Sequence, residues 1–112
     1  SAAVAGTNDY NVLSNLGCTY TFWVETAATD MDILTDGTDR FFGAVYTGID
    51  DSAAGKTFIS DASSNDVMTM NGSTKGGIAG SWVQITAIAS AAYYVTGQLL
   101  GSSTLVTPFA DA

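Results

Sequence analysis

From Ser81 to Ile88 apolar and polar positions alternate, with Val83, Ile85 and Ala87 on one side and Trp82, Gln84, Thr86 and Ile88 on the other. A period of two is that of a β-strand, whose successive side chains point to opposite faces. Tyr93 to Leu99 repeats the pattern. The link Ala89-Ser90-Ala91 is so short that antiparallel neighbours are the natural pairing, which predicts a closing hairpin. Upstream, Cys18 to Val24 alternates too, placing Cys18, Tyr20, Phe22 and Val24 on one face and Trp23 on the opposite one. Shorter strands are predicted at Tyr10–Leu13, Met31–Thr35, Arg40–Tyr46, Thr57–Ser60 and Val67–Met70, separated by turn residues such as Ser14-Asn15, Gly17 and Asn71-Gly72. Asp36-Gly37 is a hairpin signal, because glycine accepts a positive φ without steric cost, so the run from Arg40 is expected to continue a meander.

No stretch sustains an apolar stripe at i, i+3, i+4 and i+7 between caps, which argues against helices. About eight short strands with turn signals roughly every ten residues predict an all-β fold, an antiparallel β-sandwich or a barrel-like single domain over residues 1–112. Residues 1–8, small and featureless, read as an N-terminal arm. Residues 101–112 read as an extended C-terminal tail, in which Pro108 suits an edge position because it has no amide proton for a central ladder.

Composition narrows the partners. The chain carries 11 acidic and 3 basic residues, a net charge of −8, so contact with nucleic-acid phosphates would meet a repulsive field and no nucleic-acid partner is expected. No run of about eighteen apolar residues marks a membrane helix or a signal peptide, and a soluble chain with no membrane partner is expected. Cys18 is the only cysteine and there is no histidine, which excludes an internal disulfide and a thiol–imidazole zinc cage. Its position in an alternating run predicts a buried thiol acting as a small hydrophobe.

Three segments imitate chemistry. Ala54-Gly55-Lys56-Thr57 ends like a phosphate-binding loop, yet Asp50 stands where the first glycine belongs, and Asp50-Asp51 set negative charge where phosphate must lie. The series Asp30, Asp32, Asp36 and Asp39 brings carboxylates together, but Leu34 occupies a ligand position of a calcium loop and no closing glutamate follows. Asn71-Gly72-Ser73 fits a glycosylation acceptor, a triplet that arises easily by chance. With no histidine, a single glutamate and no base beside any serine or threonine, no enzyme activity, catalytic residue, metal or cofactor is expected.

The segment from Gly80 to Ala112 resembles the closing hairpin of small β-rich virion surface proteins of tailed bacteriophages, the head decoration or cement proteins and some fibre-head modules. The likeness rests on the strand end Tyr94-Val95-Thr96-Gly97, the stretch Gly101-Ser102-Ser103 and the tail Pro108-Phe109. It extends more loosely to Gly17–Tyr46, like the aromatic strand and acidic hairpin of those proteins, and covers about the last four-fifths of the chain through loose motifs. It implies a structural virion protein, made in the host cytoplasm, that decorates the outside of a phage capsid as a homotrimer and stabilises the coat-protein lattice. The alternative is a receptor- or glycan-binding head domain of a phage fibre.

Within that reading the major capsid protein is the expected partner. Ala2, Ala3, Val4 and Ala5 of the arm and Val106, Pro108 and Phe109 of the tail are the expected contacts, since an extended segment can add a strand to a sheet edge. Apolar residues on both faces of the strands leave more hydrophobic surface than one core consumes, so Trp23, Trp82 and Tyr94 are expected at an oligomer or surface contact.

Overall fold

The computed structural model describes residues 2–5, 9–11, 17–35, 39–49, 54–61, 63–89 and 92–111, with side chains from residue 17 onward. Every regular element among them is a strand: β1 (Ala2–Ala5), β2 (Asp9–Asn11), β3 (Thr19–Thr26), β4 (Met31–Leu34), β5 (Arg40–Ile49), β6 (Lys56–Ile59), β7 (Val67–Met70), β8 (Trp82–Ala89), β9 (Ala92–Gly101) and β10 (Phe109–Ala110). The expected strands correspond to β2 through β9. Val12-Leu13 and the Asp36-Gly37 turn lie outside the described residues.

Two sheets form, in the orders β1-β3-β8-β9-β5-β6 and β10-β7-β4-β2. The all-β sandwich is thus borne out and the barrel alternative falls. Alternation decides which side chains meet between the sheets. Phe22 and Val24 of β3, Phe41 and Val45 of β5, Val83, Ile85 and Ala87 of β8, and Tyr93, Val95 and Leu99 of β9 face Met31 and Ile33 of β4 and Met68 and Met70 of β7 in one cluster. Burying each large apolar side chain contributes about 1.5–3 kcal/mol before chain entropy is counted.

The connectivity is not a meander. Hairpins join β5 to β6 and β8 to β9, whereas β1–β2, β2–β3, β3–β4, β4–β5, β6–β7, β7–β8 and β9–β10 are linked across the sandwich. Three neighbouring pairs run parallel: β1 with β3, β2 with β4, and β5 with β9 over Arg40–Ile49 and Ala92–Gly101. The hairpin expected at Asp36-Gly37 is therefore corrected, because its flanking strands β4 and β5 belong to different sheets.

Both termini are drawn into the fold. Residues Ala2–Ala5 pair in parallel with β3 at the edge of the large sheet, and β10 pairs with β7, supported by Thr69 N donating to Pro108 O and Asp66 N donating to Ala110 O. Leu105, Pro108 and Phe109 are buried. The free tail is corrected accordingly: Pro108 and Phe109 are interior, held there by apolar burial, and of the three expected tail contacts Val106 alone is exposed. Cys18 is also corrected, from buried to exposed. Its carbonyl accepts from Ala87 N, and Ala87, Tyr93 and Phe41 across the same row are buried, so the cover over this row stops short of the β3 side where Cys18 stands.

Candidate functional site

Most outward positions of the large sheet fall in three cross-strand rows, with Glu25 of β3 exposed beyond them. Trp23, Trp82, Gln98, Tyr46 and Thr57 stand in the first. Thr21, Gln84, Thr96, Ala44 and Ile59 stand in the second, and Thr19, Thr86, Tyr94 and Phe42 in the third. None of these residues is charged, on a chain of net charge −8. Strand rise and spacing put the outer rows about 13 Å apart and the β3-to-β6 width at about 19 Å. The face is broad, with aromatic rings in its two outer rows and threonine and glutamine between.

Several of these apolar groups meet solvent: Trp23 is 49% exposed, Tyr94 57% and Ile59 77%, with Tyr46 exposed and Trp82 half-buried. Trp23 and Trp82 are direct cross-strand partners with ring centroids 5.8 Å apart and planes tilted by 36°. Tyr94 lies in the far row and does not join them. Polar partners also cross the strands, the Thr19 and Thr86 hydroxyls at 3.0 Å and the Gln84 amide donating to Thr21 Oγ1 at 3.4 Å.

Two hollows open on this face. One, of about 540 Å³, lies among Phe42, Tyr94, Ile88, Gln84, Thr86 and Thr96. Gly43 of β5 and Val95 of β9 complete its lining. The other, of about 510 Å³, lies beyond Tyr46 and is lined by Gly48, Ile49, Ile78, Gln98, Leu100 and Gly101. Among the described residues neither hollow is lined by an acidic or basic side chain.

The chemistry-like segments are placed elsewhere. Lys56 and Thr57 open the exposed strand β6, so no helix follows to aim amides at a phosphate; Asp50 and Asp51 lie outside the described residues. Asp30 is exposed, Asp32 half-buried and Asp39 buried, while Asp36 is outside the described residues. No cluster of three metal-ligating side chains occurs among those described. Asn71 is engaged in its own turn, its Oδ1 accepting from the amides of Ser73 and Lys75 and its Nδ2 donating to Thr74. Asp61 accepts from the Ser63 hydroxyl, the Ser63 amide and the Ser64 hydroxyl, which together hold its carboxyl below the ordinary aspartate value.

Comparison with protein-family models, curated proteins and solved structures finds no match to this chain. The face therefore has to be read from its own geometry. Sequence reasoning singled out Trp23, Trp82 and Tyr94 but passed over Phe42, Tyr46, Gln84, Thr86 and Thr96. Alternation already set Gln84 and Thr86 opposite Val83 and Ile85. What joins them to Phe42 and Tyr46 is the parallel β5–β9 ladder, which no local pattern announces.

Proposed function

We propose that this protein is a structural component of a phage virion that decorates the outer capsid surface as a homotrimer and stabilises the coat-protein lattice. The single observation that carries the reading is the aromatic-bearing outer face of the large sheet, uncharged across its three rows from Trp23 to Phe42, joined to the loose resemblance of residues 17–46 and 80–112 to decoration proteins. A broad exposed face of this kind suits adhesion to another surface. Binding to a surface present only in the assembled lattice stabilises that lattice by mass action, and many weak contacts in parallel multiply the effect.

The contacts sit at the β1 side of the molecule. Among the described residues strand β1 is an edge of the large sheet, where a strand can add, and Ala3 pairs with Trp23, so the Trp23–Trp82 pair lies beside that edge. Ala2, Ala3, Val4 and Ala5 therefore remain contact candidates through their backbone, with Trp23 and Trp82 as aromatic anchors. Pro108 and Phe109 are withdrawn, being interior.

The test is a count on intact particles, by quantitative gel analysis and imaging, together with rebinding of the purified chain to stripped capsids. Copies in proportion to the coat-protein capsomers, and restored resistance to disruption on rebinding, are expected. Copies confined to a tail or fibre would move the assignment to a fibre head, and absence from particles would end both.

A further inference from the structure

The hollow between Phe42 and Tyr94 spans β8, β9 and β5 and has its own chemistry. Its walls are apolar, formed by the Phe42 and Tyr94 rings and by Ile88. Its polar groups are the Gln84 amide and the hydroxyls of Thr86, Thr96 and Tyr94. Gln84 and Thr96 are cross-strand partners in one row, and Thr86 and Tyr94 are partners in the next, so the polar groups stand beside the ring rather than beneath it. Gln84 and Thr86 each have one interaction with β3, and each keeps further hydrogen-bonding capacity toward solvent.

Ligand classes separate on this lining. An anion finds no basic group and approaches a chain of net charge −8. A cation finds no carboxylate among the described lining residues. A purely apolar ligand would strip water from Gln84, Thr86 and Thr96 without replacing its hydrogen bonds, which costs more than the contact returns. A pyranose ring meets both demands: its C–H face lies on an aromatic ring, while its rim of hydroxyls donates to and accepts from amide and hydroxyl groups. The hollow is also of the size that small ligands occupy.

We infer that this hollow is a binding site for a neutral saccharide, with Tyr94 as the stacking platform, Phe42 and Ile88 as flanking walls, and Gln84, Thr86 and Thr96 as hydrogen-bonding partners. The site is shallow and water-exposed, so affinity for one short chain is weak, with Kd on the order of 1 mM. Many copies displayed on one particle would raise the avidity far above that. The inference goes beyond the lattice-binding role, and it uses residues of the middle and far rows rather than the Trp23–Trp82 row.

The experiment is an amide NMR titration of the purified full chain with cellohexaose, maltohexaose, chitohexaose and mannohexaose, with polygalacturonate as the acidic control. At least one neutral oligosaccharide is expected to give saturable shifts centred on residues 84, 86, 94 and 96, and polygalacturonate none. Tyr94→Ala should raise that Kd at least about tenfold, a loss of roughly 1.4 kcal/mol, and Thr86→Val should raise it several-fold. The exposed position of Tyr94 predicts a folded variant, verified by an unchanged dispersed spectrum. Absence of saturable shifts with all four sugars overturns the inference, as does binding centred elsewhere or unaltered by Tyr94→Ala and Thr86→Val. Shifts of the same residues with protein concentration alone would assign the face to a second copy instead. No capsid is present in this titration, so its failure leaves the virion proposal standing, and failure of particle binding leaves the saccharide site standing.

Discussion

Phe109 packs across the sandwich against Phe41, ring centroids 6.2 Å apart and planes at 52°, and Phe41 in turn meets Tyr93 at 6.4 Å. This chain of rings joins the last strand of the small sheet to the two central strands of the large parallel pair. The C-terminal segment is thereby part of the core.

Phe109→Ala is expected to destabilise the protein by about 3–5 kcal/mol, through lost burial and the cavity left beside Phe41. Val106→Ala, three residues earlier and exposed, should change stability by less than about 0.5 kcal/mol. Urea unfolding of both variants checks the pair. Equal, small effects would mean that the tail is not anchored.

Gly43 has φ +131°, and a Cβ built there would run into the backbone carbonyl oxygen of Val95. That carbonyl belongs to the β5–β9 ladder and has little room to retreat. Gly43→Ala should therefore cost about 2–4 kcal/mol, from backbone strain and overpacking together. A melting temperature matching the parent's would show the ladder to be more yielding than this geometry implies.

Thr47 is fully buried, and its hydroxyl has no hydrogen-bond partner among the described residues. Valine keeps the shape and removes the orphaned group, so Thr47→Val is expected to stabilise by about 1 kcal/mol. A loss of stability in denaturant titration would reveal a partner for that hydroxyl.

Trp23 and Trp82 are the chain's two tryptophans, and they touch each other. Trp23→Ala should cost only about 0.5–1.5 kcal/mol, the worth of an aromatic pair outside the core, while weakening retention on capsids. A loss above about 3 kcal/mol, or unchanged capsid retention, would remove Trp23 from the proposed contact.

Asp61 has its folded-state pKa lowered below 3.8, first by the Ser63 hydroxyl, then by the Ser63 amide and the Ser64 hydroxyl. A depressed carboxyl contributes stability above its unfolded value and loses it as pH falls through the folded value. Carboxyl-detected NMR should show Asp61 titrating below ordinary aspartates, and Ser63→Ala should move it upward. No movement would assign the shift to the Ser63 amide and the Ser64 hydroxyl. The group is fully exposed, so its effect on global stability is expected to be small.

Alternation by itself was enough to place strands and their faces. Val83, Ile85 and Ala87 are buried and Gln84 exposed, as a period of two requires, and the absence of a helical stripe already implied an all-β domain. These are local properties, decided by which side of a pleat each residue occupies. Pairing is not local. The parallel β5–β9 and β1–β3 ladders, and the capture of Phe109 opposite Phe41, depend on which surfaces meet when distant segments close on one core, and an antiparallel meander would have buried the same faces. Cys18 marks the boundary between the two kinds of determination. Its face followed from alternation, but whether it was covered depended on how far the facing sheet reaches toward the β3 side, since Ala87, Tyr93 and Phe41 in the same row are buried. The hollow at Tyr94 is likewise tertiary, because its lining joins Phe42 and Gly43 of β5 to Tyr94 and Thr96 of β9.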